Sequence, residues 1–217
     1  SEVQNPFMPK KESDLYIPQK VIVPEMVKVT GGTIVGSDYR LYTSEGNFPK
    51  GRRVQLSDFA IGKYEVTQEE YYSVMKDEVV SVTAYVDGVG ERTAEFFMDS
   101  RPSFCKPNNP PYHCFEGENQ ERRPVEGITF YDALWYCNVL SRKTDLEPVY
   151  KIKVTEVTSV NFSSHITNAE VEMIPGANGY RLPTACEAEY AMRGGDPNAP
   201  DWVYLFRGGV SEPGSER

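Results

Sequence analysis

The period of apolar and polar alternation changes along the chain and divides it into segments. Short alternating runs at Met26 to Thr30 and Thr33 to Gly36 flank the pair Gly31-Gly32, which predicts two strands meeting at a hairpin-like turn. Arg53 to Ile61 keeps strand-like spacing through Val54, Leu56, Phe59 and Ile61, with a break at Ser57-Asp58. The run VVSVTAYVDGVGE predicts a further hairpin turning at Asp87-Gly88, with mostly loop after it up to residue 122. Val149 to Val157 and Ala169 to Ile174 alternate as another hairpin, followed by the turn Gly176-Ala177-Asn178-Gly179. No GxGxxG or GK[ST] pattern follows Gly31-Gly32 and no helix begins there, so a phosphate cradle is not predicted.

Three places switch to the helical period, and each starts the same way. Thr67, Thr129 and Thr184 stand three residues before Glu70, Asp132 and Glu187. In that spacing the hydroxyl accepts from the third backbone N–H and the acid reaches back to the cap N–H, so these acids are read as caps rather than as catalytic carboxylates. Val66 with Tyr71 and Ile128 with Ala133 occupy hydrophobic-staple positions. Over residues 130 to 142, Ala133, Tyr136, Cys137 and Leu140 form one apolar face, widened by Trp135 and Val139. The third helix is expected from Ala185 to about Arg193, stopped by Gly194-Gly195.

Composition narrows the class. Seventeen glycines and sixteen prolines in 217 residues make about 15%, against an average near 12%. Aromatic residues reach 12%. A disordered chain lacks aromatics, so a loop-rich fold tied by aromatic packing is expected. Residues 1 to 25 carry Pro6, Pro9, Pro18 and Pro24 and predict an extended arm, followed by one domain over 26–217. The net charge of −9 argues against nucleic acid or an anionic membrane as a partner, and no apolar run is long enough to span a membrane.

The candidate chemistry is sparse. Cys105 and Cys114 flank the loop KPNNPPYH, where a disulfide between them and two free thiols are both open readings. Cys137 and Cys186 fall in helices and read as small buried hydrophobes. A zinc site from Cys105, His113 and Cys114 lacks a CxxC unit and a second histidine. His113 and His165 are the only histidines and sit in loop or hairpin contexts, which gives no support for a Ser-His-Asp arrangement. Nothing in the spacing pairs two carboxylates for acid–base work. The triplet Asn161-Phe162-Ser163 fits a glycosylation acceptor, a pattern common by chance, and carries no weight here.

The segments MVKVTGGTIVGSD, FAIGKYEVTQEEYYSVM, RPVEGITFYDALWYCNVLSRK and NGYRLPTACEAEYAMRGG, in this order over residues 26 to 195, resemble the formylglycine-generating enzyme and sulfatase-modifying-factor family. The last segment, with its RLPT and EYAMRGG, is the most specific. The resemblance implies an α+β fold of C-type-lectin-like type, loop-rich, with few helices and short twisted antiparallel strands, of which this chain holds the amino-terminal portion. Where the family usually has a tryptophan two residues before Tyr190, this chain has Ala188; loss of such a ring leaves a void of about 3–5 kcal/mol unless neighbours refill it.

The family's paired reactive cysteines and its metal ions, copper or calcium, belong to a later region. None of Cys105, Cys114, Cys137 and Cys186 matches the catalytic pair, Cys137 matching instead a structural position, and Arg207-Gly208-Gly209 is not the family's RGGS strand. The resemblance therefore implies no catalytic, cofactor or metal residue in this chain. The expected function is a non-catalytic ligand-binding or display protein, its binding surface beyond residue 217, in the manner of retroelement-diversified variable proteins. The alternative is a formylglycine-generating oxidase acting on a sulfatase cysteine. Expected partners are a protein or surface ligand and a second fragment of the same polypeptide, the polar ending GGVSEPGSER reading as a cleavage boundary at Arg217. The expected location is extracytoplasmic or at the cell surface, with the arm as spacer from a lipid-anchored segment before Ser1.

Overall fold

A computed structural model of the chain describes residues 20–36, 46–105, 117–160 and 163–202. In chain order the elements are β1 (Met26–Val29), β2 (Gly32–Val35), β3 (Arg53–Leu56), β4 (Phe59–Gly62), α1 (Gln68–Met75), β5 (Val79–Val86), β6 (Gly90–Phe97), a 3₁₀ turn at Gln120–Arg122, α2 (Phe130–Lys143), β7 (Tyr150–Val160), β8 (Ser163–Met173) and α3 (Ala185–Met192). Every sheet is a two-stranded antiparallel ladder, ordered β1-β4, β2-β3, β5-β6 and β7-β8. The architecture is α+β and loop-rich, as expected.

The turn at Gly31-Gly32 requires a correction. β1 does not pair with β2: Met26 faces Gly62 and Val29 faces Phe59, while Gly32 faces Leu56 and Val35 faces Arg53. The chain steps from one ladder to the next at Gly31, where an added Cβ would stand 2.3 Å from the Leu56 carbonyl oxygen. The glycine serves a close backbone approach rather than a hairpin. The β5-β6 hairpin turns at Asp87-Gly88 as predicted, but β6 then runs to Phe97 where loop was expected.

All three threonines cap their helices with the complete reciprocal box, to Glu70, Asp132 and Glu187. Each such cap is worth about 1 kcal/mol. α3 ends as Gly194-Gly195 predicts: both take positive φ, at 86° and 68°, and their N–H groups donate to the carbonyls of Ala191 and Tyr190.

Among the described residues two hydrophobic clusters form the interior. The larger joins Tyr71, Val74 and Met75 of α1, Leu134 to Leu140 of α2, and Tyr150, Val154 and Ile166 of the β7-β8 hairpin. The smaller joins Ile34, Phe48, Leu56, Tyr190 and Trp202, with Phe48 and Tyr190 each packed against the Trp202 ring at centroid distances of 5.8 and 5.6 Å. Beside it the fully buried Arg193 binds Glu189 at 2.6 Å and the Trp202 carbonyl at 2.8 Å, and Glu189 in turn receives the Asn47 backbone N–H. Ala188 is half-buried on the same helix. The described end of the arm is tied down: Val21 packs on the larger cluster and the Ile22 N–H donates to Ser73 Oγ at 3.0 Å.

α2 is buried more widely than its apolar face predicts. Asp132, Asn138 and Ser141 are all inside. Asn138 pairs with the backbone of Tyr150 through both amide atoms, at 2.6 and 3.1 Å. Ser141 Oγ accepts from the Tyr180 N–H at 2.8 Å. These three side chains satisfy backbone groups that would otherwise be stranded in the core.

Candidate functional site

Between the β1-β4 ladder, helices α1 and α2, and the segment from Ala177 to Pro183 lies a cavity of about 960 Å³. The capping boxes at Thr67 and Thr129 fix where α1 and α2 begin, and the packing of one helix on the other brings Tyr71 and Tyr136 together, with ring centroids 5.3 Å apart and planes inclined by 16°. Both tyrosines line the cavity, beside Ala133, Cys137 and Leu140 from α2 and Phe59 and Ile61 from β4.

The polar groups of this cavity fall into two kinds. On one side Arg181 makes a bidentate pair with Glu187, at 2.7 and 2.6 Å. The Arg181 guanidinium, with help from the Thr184 N–H, holds the Glu187 carboxyl down at about 2. Behind the wall the picture is the reverse: the Tyr71 and Tyr136 hydroxyls are sealed from the cavity and have no hydrogen-bond partner among the described residues. Burial first, and then the neighbouring carboxylates (Asp132 and Asp99 for Tyr71, Glu70 for Tyr136), push both phenols above their ordinary range. They stay protonated.

A second polar cluster closes the far side of α2. Asp132, fully buried, accepts from His165 Nδ1 at 2.7 Å and from the Ile166 N–H at 2.8 Å, besides its capping bond to the Thr129 N–H at 3.1 Å. His165 Nε2 faces Asp99 at 3.7 Å. Asp132 raises the imidazole pKa, against the opposing effect of burial, and Asp99 adds to the rise. The sequence pairs no two carboxylates by spacing, yet the fold sets Asp99 and Asp132 on either side of one imidazole. Nε2 therefore faces another carboxylate, which suits a structural clasp rather than a nucleophile's base.

The thiols take the roles their helices suggest. Burial pushes the Cys137 thiol up to about 12, which makes it an inert core group. Cys186 is half-buried on α3. Cys105 lies after β6, its N–H donating to Glu126 at 3.0 Å. Cys114 and His113 lie outside the described residues, as do Arg207-Gly208-Gly209 and the first two residues of the Asn161-Phe162-Ser163 triplet, so the Cys105–Cys114 pairing is not described. Among the described residues no group of three His, Cys, Asp or Glu side chains is placed to hold a metal ion.

A family model of the sulfatase-modifying factor enzyme 1-like domain matches residues 12–210. The chain belongs to this family. The chain is 36% identical over 174 residues to the chaperone protein LppX of Paenibacillus barcinonensis, across 76% of this chain and 49% of that protein. It thus spans about half the length of that relative. Among solved structures it is similar to Treponema denticola variable protein 1, with 25% identity, a TM-score of 0.44, and coverage of 80% of this chain and 58% of that one. CarF is similar at 23% identity and a TM-score of 0.45, with coverage of 80% and 57%. Among the described residues of this sulfatase-modifying factor family member, no helix is long and apolar enough to cross a membrane.

What the sequence missed is the cavity and the clasp. Tyr71 was legible as a staple residue and Tyr136 as part of an apolar face, but the stacking of one on the other depends on how two helices pack. No local signal marks the hydroxyls as unpartnered.

Proposed function

We propose that this chain is a non-catalytic ligand-binding module on the C-type-lectin-like scaffold of the sulfatase-modifying factor family, with the cavity between α1, α2 and the β1-β4 ladder as a binding element. The observation that carries this reading is the cavity itself. Its volume of about 960 Å³ sits within the range of ligand pockets, and its apolar walls hold a small number of polar groups at fixed places. A copper-thiolate oxidase needs two ionised sulfurs side by side, whereas Cys137 is held protonated in the core and Cys186 belongs to a different helix. The described residues therefore do not fit the family's copper.

The relative's designation as a chaperone agrees with a role in binding rather than turnover. An extracytoplasmic or surface location, and a second segment of polypeptide completing the domain, belong to the same proposal. The test is direct. Purified chain with copper and oxygen is expected to leave a cysteine-containing sulfatase peptide unchanged by mass, and a small apolar probe such as toluene is expected to raise the thermal midpoint by occupying the cavity. Formylglycine in the peptide refutes the non-catalytic reading, and no response to any cavity probe refutes the binding reading.

A further inference from the structure

The β5-β6 hairpin carries a strand edge that nothing among the described residues covers. The Met98 N–H donates to the Glu78 carbonyl at 2.9 Å, which makes that facing pair a hydrogen-bonded one. Alternation along the antiparallel ladder then fixes the rest: the even-numbered residues of β6 bond to β5, and the backbone groups of Glu91, Thr93, Glu95 and Phe97 point away from it. Asp99, next in that outward series, agrees with this direction, its N–H donating to the Ser164 carbonyl of β8 at 2.9 Å. Among the described residues the outward backbone groups of Thr93, Glu95 and Phe97 have no partner, and those of Glu91 meet only the exposed guanidinium of Arg92, at 3.1 Å from the carbonyl. Glu91 to Glu95 are exposed throughout. β5, by contrast, lies against β7.

An open edge of this length is a template for a further strand, and the side chains decide which strand it admits. Glu91, Thr93, Glu95 and Phe97 share one face of the hairpin with Tyr85, Thr83, Ser81 and Val79. That face carries two carboxylates and no cation, with exposed Tyr85 and Phe97 at its two ends. Arg92 belongs to the opposite face. A second copy of β6 therefore does not fit. Antiparallel pairing of two such edges sets odd-numbered residues against odd-numbered ones, so Arg92 never stands opposite either glutamate, and the pairing centred on Thr93 sets Glu91 against Glu95 twice. The charge that guards the edge against itself admits a strand with cations at the matching positions.

We propose that β6 is a docking edge for an extended segment of a partner protein, which adds as an antiparallel third strand and sets Lys or Arg side chains four residues apart against Glu91 and Glu95. The backbone edge supplies hydrogen bonds and the two carboxylates select the partner. No residue of β5 or β6 lines the cavity, so this surface is separate from the binding element described above.

Two acetylated heptapeptide amides test the selection: TKVTVKT aligns its lysines with the two glutamates, and TEVTVET replaces them with acids. Titration followed by amide chemical shifts is expected to show the lysine peptide binding about tenfold tighter or better, the worth of two opposite-charge pairs gained and two like-charge pairs avoided. On binding, the amides of Glu91, Thr93 and Glu95 should gain protection from hydrogen exchange, while those of Arg92 and Ala94, already bonded to β5, stay as they were. Methylating the peptide nitrogens of both lysines and the central threonine removes the donors that face β6, and is expected to weaken binding about tenfold. Glu91→Lys with Glu95→Lys, at two exposed positions, keeps the fold and should reverse the preference in favour of TEVTVET. Thr93→Pro removes one outward N–H without removing a donor to β5, and should weaken the lysine peptide about fivefold or more. The proposal is overturned if neither peptide binds, or if TEVTVET binds the parent chain as well as TKVTVKT. It is overturned equally if the methylated peptide keeps its affinity, since the lysines then bind without a strand forming. Protection of the Glu91, Thr93 and Glu95 amides in the free chain also overturns it: independent of concentration, it means that another part of the chain covers the edge, and rising with concentration, that a second copy does. The toluene response of the cavity is unaffected by any of these outcomes, so failure here leaves the cavity reading standing.

Discussion

Removing Asp132 would test how the helix caps and the tertiary fold share one side chain. In the native structure its carboxylate receives three donors, the Thr129 and Ile166 backbone N–H groups and His165 Nδ1. Asp132→Ala leaves all three without their acceptor. Orphaning a buried donor costs about 1–3 kcal/mol, the full amount at Ile166 and less at Thr129 and His165, which are nearer solvent. With lost capping included, the expected total is about 3–5 kcal/mol, a large part of the ~5–15 kcal/mol that holds a domain folded. Asp132→Asn keeps a carbonyl acceptor and should cost roughly half as much. The two variants also differ from the parent in pH response. The folded-state pKa of His165 is raised above its ordinary 6.5, so the imidazolium contributes stability that is fully present below pH 6.5 and is lost as pH rises through the folded pKa. Urea unfolding at pH 5.5 and pH 8.5 should show that fall in the parent and a nearly flat response in Asp132→Asn. A cost below about 1 kcal/mol for Asp132→Ala, or an unchanged pH response in Asp132→Asn, would refute the reasoning.

Three further outcomes are expected. Arg181 holds the Glu187 carboxyl at about 2 instead of its ordinary 4.5, so the pair supplies stability above pH 4.5 that is lost as pH falls toward 2. Because Arg181 is about a third exposed, the contribution is taken as roughly 1–2 kcal/mol, and Glu187→Gln should remove that acid-labile part in a denaturant series from pH 6 to pH 2.5. Gly31→Ala should destabilise by about 1–3 kcal/mol, read as a lowered melting temperature, because its Cβ would meet the Leu56 carbonyl at 2.3 Å. Cys137, with its thiol held near 12, should resist iodoacetamide at pH 8.5 in the folded chain and react only in denaturant; peptide mapping that finds it alkylated under native conditions contradicts its placement.

Helix starts were legible because capping is local. A threonine and an acid three residues on are brought together by the backbone of one helical turn, whatever surrounds them, and all three predicted boxes form. The Gly194-Gly195 stop and the Asp87-Gly88 turn are local in the same sense. Strand partners were not legible. Met26 to Val35 alternates just as a hairpin would, yet its halves pair with β4 and β3, because alternation states which side of a strand faces inward and not which strand lies beside it.

By itself, then, the sequence determined the positions of the helices, their caps, the loop-rich α+β class and membership of the sulfatase-modifying factor family, all carried by residues a few positions apart or by motifs read in order. Only the tertiary structure decided that Asp132 both caps α2 and holds His165, that Asn138 and Ser141 serve distant backbone groups, and that Tyr71 and Tyr136 meet face to face in a cavity. These depend on pairs separated by 12 to 65 positions, whose approach is set by packing the two helices on the β7-β8 hairpin. Side-chain chemistry in the chain names the available donors and acceptors, and their partners are chosen by the summed burial of the whole core, a quantity no local window contains.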